Sequence, residues 1–253
     1  MGVNLFMHSV RLVLGDWRNA LRVTGLLYLI YAVPALLLGL FFPQVQTGQS
    51  VEAAGAAMLG FAPVAIITGL LLLVVYIWLA VTWHRYILLD EVPSGQLPAF
   101  NMNRILSYAG SAILLGLILV AISIVVSLVL SPLLFLGFLV FILPIVVIAI
   151  ALIIDYRLGL VLPAKAVDKP LSFGEAWAAT KGQNGTILVL AIVSALAAVI
   201  IDIPAYIFGL IPGIGYILSL IWTLGTGWVK VVVGVSILTT LYGVYIEKRN
   251  ISG

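Results

Sequence analysis

Apolar residues run through this chain in blocks far longer than the core of a water-soluble domain needs, and polar residues are confined to the gaps. The fifty residues between Arg104 and Asp155 carry no charge. Stretches 23–51, 53–83, 182–201 and 231–246 are uncharged or nearly so. A helix of about 20 apolar residues crosses a hydrocarbon core. The blocks therefore predict six membrane helices at about 23–42, 61–82, 108–130, 135–154, 184–203 and 222–246.

The gaps have a pattern of their own. Between Leu5 and Leu21, apolar residues recur at Phe6, Val10, Val13, Leu14, Trp17 and Leu21, with Arg11, Arg18 and Arg22 opposite. That spacing predicts an amphipathic helix lying in the membrane interface. Ser172-Phe-Gly-Glu175 is a capping box, and Phe173, Ala176 and Trp177 are expected to face the membrane from the helix it starts. Residues 100–108 read as a shorter copy capped by Asn101. Each such helix precedes a pair of spans. The second and fourth spans also end alike, in Trp83-His84-Arg85-Tyr86 and Asp155-Tyr156-Arg157-Leu158. The expected fold is all-α: one polytopic membrane domain over 1–253, three hairpins each preceded by an interfacial helix, in parallel pseudo-repeats of about 1–91, 92–168 and 169–253.

Composition agrees with this reading. Hydrophobic residues make up 64% and charged residues 8% of the chain, against ~25% charged in a soluble domain. The absence of cysteine excludes disulfides and thiolate metal sites. The start of the chain is read as no signal peptide, because an amphipathic stretch precedes the first span. Eleven of the twelve Lys and Arg residues fall at the termini or in the gaps after the second and fourth spans. The positive-inside rule places those segments, and both termini, in the cytoplasm of a bacterial inner membrane. Trp17, Trp83, Trp177, Tyr86, Tyr108, Tyr156, Tyr242 and Tyr245 are expected at the inner headgroup level, with Trp222 and Trp228 at the outer one.

The stretch Tyr156-Arg157-Leu158 to Leu162-Pro163-Ala164, followed by Pro170-Leu171-Ser172, Ala176-Trp177 and Thr180-Lys181-Gly182, resembles a signature of a broad group of bacterial six-span proteins. That group includes YciC-like proteins and the membrane domain attached to some glycerophosphodiester phosphodiesterases. The specific part covers about residues 155–182. The resemblance implies an inner-membrane location; it carries over no phosphodiesterase activity, since the residues that bear it do not include the enzyme barrel.

Candidate chemistry is sparse. His8 and His84 are the only histidines, too few for a closed zinc shell without cysteine. His84 has Asp90 and Glu91 near it in sequence. Its ordinary reading is an interfacial histidine with solvent access. The Gly209–Gly215 stretch lacks the Lys of a phosphate loop and reads as a turn. Arg85 and Arg157 occupy matching places in two repeats. With Arg11, Arg18 and Arg22 they are the candidate contacts for lipid phosphate or a partner; ordinary anchoring at the membrane surface is the plain alternative. Lys230 is the one cation inside an apolar run. It is either a buried functional charge or a lysine snorkelling to the outer headgroups, with Asp202 as its partner in the shallow placement. Ala191, Ser194, Ala195 and Ala198 form a small face expected to pack on another helix. Pro34 and Pro144 predict kinks, and most other prolines are read as marking span ends.

These features predict a non-enzymatic accessory or scaffold unit without cofactor. Its expected partners are membrane lipids, anionic ones among them, and a membrane protein or a second copy, with no nucleic acid. The alternative is a transporter or channel for a small or lipidic solute with Lys230 on the path. A membrane enzyme built on His84, Asp90, Glu91 or Asp155 is the third reading.

Overall fold

The computed structural model describes residues 1–41, 50–137 and 139–251. Nine α-helices and one 3-10 turn account for the described chain, and no strand is present among these residues. The helices are α1 (Gly2–Leu14), α2 (Trp17–Phe41), α3 (Val51–Leu89), α4 (Met102–Leu130), α5 (Leu139–Leu158), α6 (Val161–Ala166), α7 (Phe173–Ala179), α8 (Asn184–Gly209) and α9 (Gly215–Tyr245). Six segments are long and apolar enough to span a membrane; the fourth joins α5 and α6 over Leu143–Ala166. The chain is therefore a multi-pass membrane protein. α2 packs along α3, α4 along α5, and α8 along α9. Phe42 and Phe138, placed in spans by the sequence pattern, lie outside the described residues.

Helices outrun the apolar blocks because flanking polar turns continue them. Ser50 caps α3 by accepting from Ala53 N at 3.2 Å. The helix then runs 39 residues to Leu89, about 58 Å at 1.5 Å per residue. For the same reason Pro63 and Pro204, read as marking ends, sit inside α3 and α8, as Pro34 and Pro144 do inside α2 and α5.

The interfacial helices depart from expectation in three ways. The 5–21 stretch is broken at Gly15 and Asp16, and Trp17 already opens α2. The face of α1 turned to the protein is centred on Gly2, Leu5, Ser9 and Val13; of the predicted stripe Val13 is buried, Phe6 and Val10 are half-buried beside it and Leu14 is exposed. This face docks on α8 and α9. Ser9 Oγ lies 3.0 Å from Thr240 Oγ1, and a side chain on Gly2 would stand 2.5 Å from the Thr186 carbonyl oxygen. A small-residue face lets helices approach closely, and it turns the docked face toward Gly2 and Ser9 while keeping Val13 of the predicted stripe. Second, residues 100–108 form no separate helix. Asn101 caps α4 itself by accepting from Arg104 N at 3.1 Å. Third, the Ser172–Glu175 capping box is formed in full, but Ala176 is buried against the protein rather than turned to the membrane.

Much of the aromatic set is enclosed by protein. Trp83 and Trp228 and Tyr108, Tyr156, Tyr242 and Tyr245 are buried in the bundle. A buried tryptophan N–H needs an acceptor from the protein. Here Ser236 Oγ accepts from Trp83 at 2.7 Å and Thr24 Oγ1 from Trp228 at 2.9 Å.

At the basic end of the bundle three helix C-termini converge. The non-glycine residues with left-handed backbone are Asp90, Asp168 and Lys248, following α3, α6 and α9. Each turns the chain so that the next N–H reaches back to the last turn: Glu91 N to Arg85 O, Lys169 N to Ala164 O and Arg249 N to Gly243 O. The ends then cap one another. Arg249 donates to Leu88 O at 2.9 Å, and Arg85 to Ala166 O at 3.0 Å. Lys169 pairs with Glu247 at 2.8 Å. Cations at helix C-termini meet free carbonyls and the negative end of the macrodipole. Leu88, Ala164, Val167 and Tyr242 fill the space between the three ends.

Candidate functional site: two adjoining pockets between α1, α3, α5, α8 and α9

Trp83 and His84 close the inner wall of the bundle from α3. His84 is 0% exposed, which overturns the expectation of an interfacial, solvent-facing histidine. Its Nδ1 is 2.8 Å from Thr239 Oγ1 and its Nε2 is 3.3 Å from the Tyr108 hydroxyl. Thr239 spends its single hydroxyl proton on Val235 O at 2.9 Å. It must therefore accept from His84, which puts the imidazole proton on Nδ1. Nε2 is then left to accept from Tyr108. A buried imidazole with these two neutral partners is satisfied as the neutral form. Asp90 and Glu91, its neighbours in sequence, are not its partners. Glu91 instead pairs with Arg85 at 2.5 Å.

One cavity opens beside this network. It has a volume of about 310 Å³ and is lined by Tyr76, Tyr108, Asp155 and Tyr156 among apolar groups. A second, of about 440 Å³, adjoins it, and Leu152, Tyr156 and Gly234 wall both. The second is almost wholly apolar and runs between α1, α5, α8 and α9, from Phe6 and Val10 to Lys230. Ser194, Ala195 and Ala198 line it. The small face of α8 therefore makes room for a cavity rather than seating a helix along its whole length; only Ala191 is buried. Ile148, at the rim, is 56% exposed on the outer surface of the bundle. Volumes in this range suit small-molecule sites.

The predicted cations separate into three groups. Arg85 and Arg104 both bind Asp168, at 3.2 and 2.8 Å. Arg157 is buried, donates to Thr180 O at 3.2 Å and to Asn184 Oδ1, and lies 4.2 Å from the Trp177 ring centroid. It ties α5 to α7 and α8. Arg85 and Arg157, paired by the repeat, are thus engaged inside the chain. Arg11, Arg18 and Arg22 are exposed along α1 and α2, Arg18 stacking on Trp17 at 5.5 Å. Lys230 pairs with Asp202 at 2.7 Å, with side chains 33% and 36% exposed. The lysine's position is defined by Asp202 and by the apolar cavity it closes.

The Asp168 carboxyl is held below the usual carboxylate range, first by the hydrogen bond from Arg104, then by attraction to Arg104 and Arg85. A lowered folded-state pKa stabilises the fold above the unfolded value, about 3.9, and is lost as pH falls through the folded value. At 57% side-chain exposure, solvent screening keeps this contribution small. Thermal unfolding in detergent is expected to show a fall in Tm below about pH 4 that is shallower in Asp168→Asn. Identical acid slopes would show that this cluster does not contribute.

Sequence reasoning singled out His84 and Lys230 but missed Tyr108 and Thr239 as partners of His84, and Tyr76 and Ser194 as cavity walls. Hydroxyls in apolar helices carry no periodic signal, and only packing shows which of them meet. Comparison with family models, curated proteins and solved structures finds no match.

Proposed function

We propose that this chain is a non-enzymatic accessory or scaffold unit of the bacterial inner membrane that binds lipid, with both termini cytoplasmic. The observation that carries the reading is the apolar cavity of about 440 Å³, which opens at Ile148 on the bundle surface. An apolar space in contact with the bilayer favours an acyl chain over a hydrophilic solute. Exposed Arg11, Arg18 and Arg22 support the same reading, since cations beside a membrane attract anionic headgroups.

Filling the cavity tests it. Ala198→Phe is expected to reduce lipid co-purifying with the protein several-fold, measured by mass spectrometry of extracts from a preparation that still elutes as a folded species. Unchanged lipid content in that folded variant would remove the cavity as the binding site. A second reading, carriage of a lipidic solute, is favoured because Lys230 lines the same cavity. Proteoliposomes separate the two: carriage predicts lipid flux that Ala198→Phe abolishes, whereas static binding predicts no flux even in the native chain.

A further inference from the structure

We propose that the smaller cavity receives the ammonium head of a single-chain amine amphiphile whose tail lies in the apolar cavity beside it, an inference that rests on the lipid-binding reading. The shared walls at Leu152, Tyr156 and Gly234 place a head site next to a tail site. Asp155 supplies the charge. A carboxylate partly shielded from bulk water favours donors or a counter-ion, and no ion pair or hydrogen bond reaches the Asp155 side chain among the described residues. The nearby Tyr108 hydroxyl is committed elsewhere. Tyr108 directs its proton to His84, as the tautomer argument requires. Ser194, in the adjoining cavity, spends its own proton on Leu190 O at 2.8 Å. Arg157, next but one to Asp155, turns its guanidinium to Thr180, Asn184 and Trp177.

An ammonium answers each feature of this cavity. It brings a positive charge and up to three donors, and tyrosine faces attract cations within about 6 Å. Tyr76, Tyr108 and Tyr156 all line the space, and the Tyr108 hydroxyl is anchored at His84. The absence of a phosphate partner narrows the class further. The one cation that lines either cavity among the described residues is Lys230, and it is already paired with Asp202. An amine without an adjacent phosphate therefore fits better than a zwitterionic phospholipid head.

The test uses the full chain in a non-ionic detergent, with dodecylamine and dodecanol titrated calorimetrically. Both are expected to bind, the amine more tightly by about tenfold or more, as expected for hydrogen bonds to a charged group. Asp155→Asn is close in shape and is expected to erase that preference while leaving dodecanol within about twofold. Retained dodecanol binding also shows that the variant is folded. Preference for the amine that survives Asp155→Asn, or no preference in the native chain, would overturn the assignment. If neither amphiphile binds the native chain, the lipid-binding reading falls first. A further arm separates the sources. Selective retention of phosphatidylethanolamine over phosphatidylglycerol in nanodiscs, reversed by dodecylamine, would overturn the single-chain assignment in favour of a phospholipid bearing the same ammonium.

Discussion

Trp83→Ala is expected to destabilise the bundle by about 3–5 kcal/mol, the range for truncating a fully buried aromatic residue. Trp83 is the largest side chain among those buried completely, and its Nε1 donates to Ser236 on α9 at 2.7 Å. In a bilayer the alternative environment of a side chain is itself apolar, so transfer contributes less than in water. What the truncation removes is contact with close-packed neighbours and one interhelical hydrogen bond. Trp83→Phe separates the two, since it keeps most of the volume and loses the bond, costing about 1 kcal/mol. Thermal or denaturant unfolding in mild detergent reads both. A loss below that of Trp83→Phe in the alanine variant would mean that the α3–α9 contact is not a major element of stability.

Gly159→Val is the second large effect, expected to cost about 1–3 kcal/mol or more through overpacking. Gly159 lies where α5 hands over to α6, and its N–H donates to Asp155 O at 2.7 Å. A Cβ there would stand 2.4 Å from that same oxygen and 2.9 Å from Leu238 Cδ2 on α9. Leu238 can rotate aside, but the carbonyl oxygen is backbone and can yield only by shifting the turn that carries Asp155. Gly110 on α4 is the comparison. A Cβ there meets nothing within 4 Å, so Gly110→Ala is expected to be neutral or to stabilise by about 0.5–1 kcal/mol through helix propensity. Equal Tm changes for the two variants, measured in one detergent, would show that the junction is not tightly constrained.

The first of these sites was legible as a residue but not as a role. Trp83-His84-Arg85 stands out in the sequence, yet the pattern assigns all three to the membrane surface. In the fold Arg85 reaches Ala166 and Asp168, while Trp83 and His84 turn inward to Ser236 and Thr239. Those partners lie more than 150 positions away on α9. Ser236 and Thr239 look like ordinary small residues of an apolar helix until α3 is laid beside them. Lys230 shows the converse. Its apolar surroundings and Asp202 as its partner are plain in the sequence, but the cavity that it closes is formed only where α1, α5, α8 and α9 meet.

What the sequence determined alone is the set of properties that local chemistry enforces. Uninterrupted apolar length makes helices that can span a bilayer, because the backbone's polar groups must be satisfied within each segment. The Ser172–Glu175 cap is likewise decided by residues three positions apart. Only the tertiary structure decided which face of each helix meets protein. The apolar stripe of a membrane helix serves lipid and neighbour equally well, so periodicity cannot tell them apart. That choice falls to small residues and hydroxyls: Gly2 and Ser9 seat α1, Ser236 and Thr239 receive α3, and Ser194 and Ala198 leave the apolar cavity beside Lys230 open.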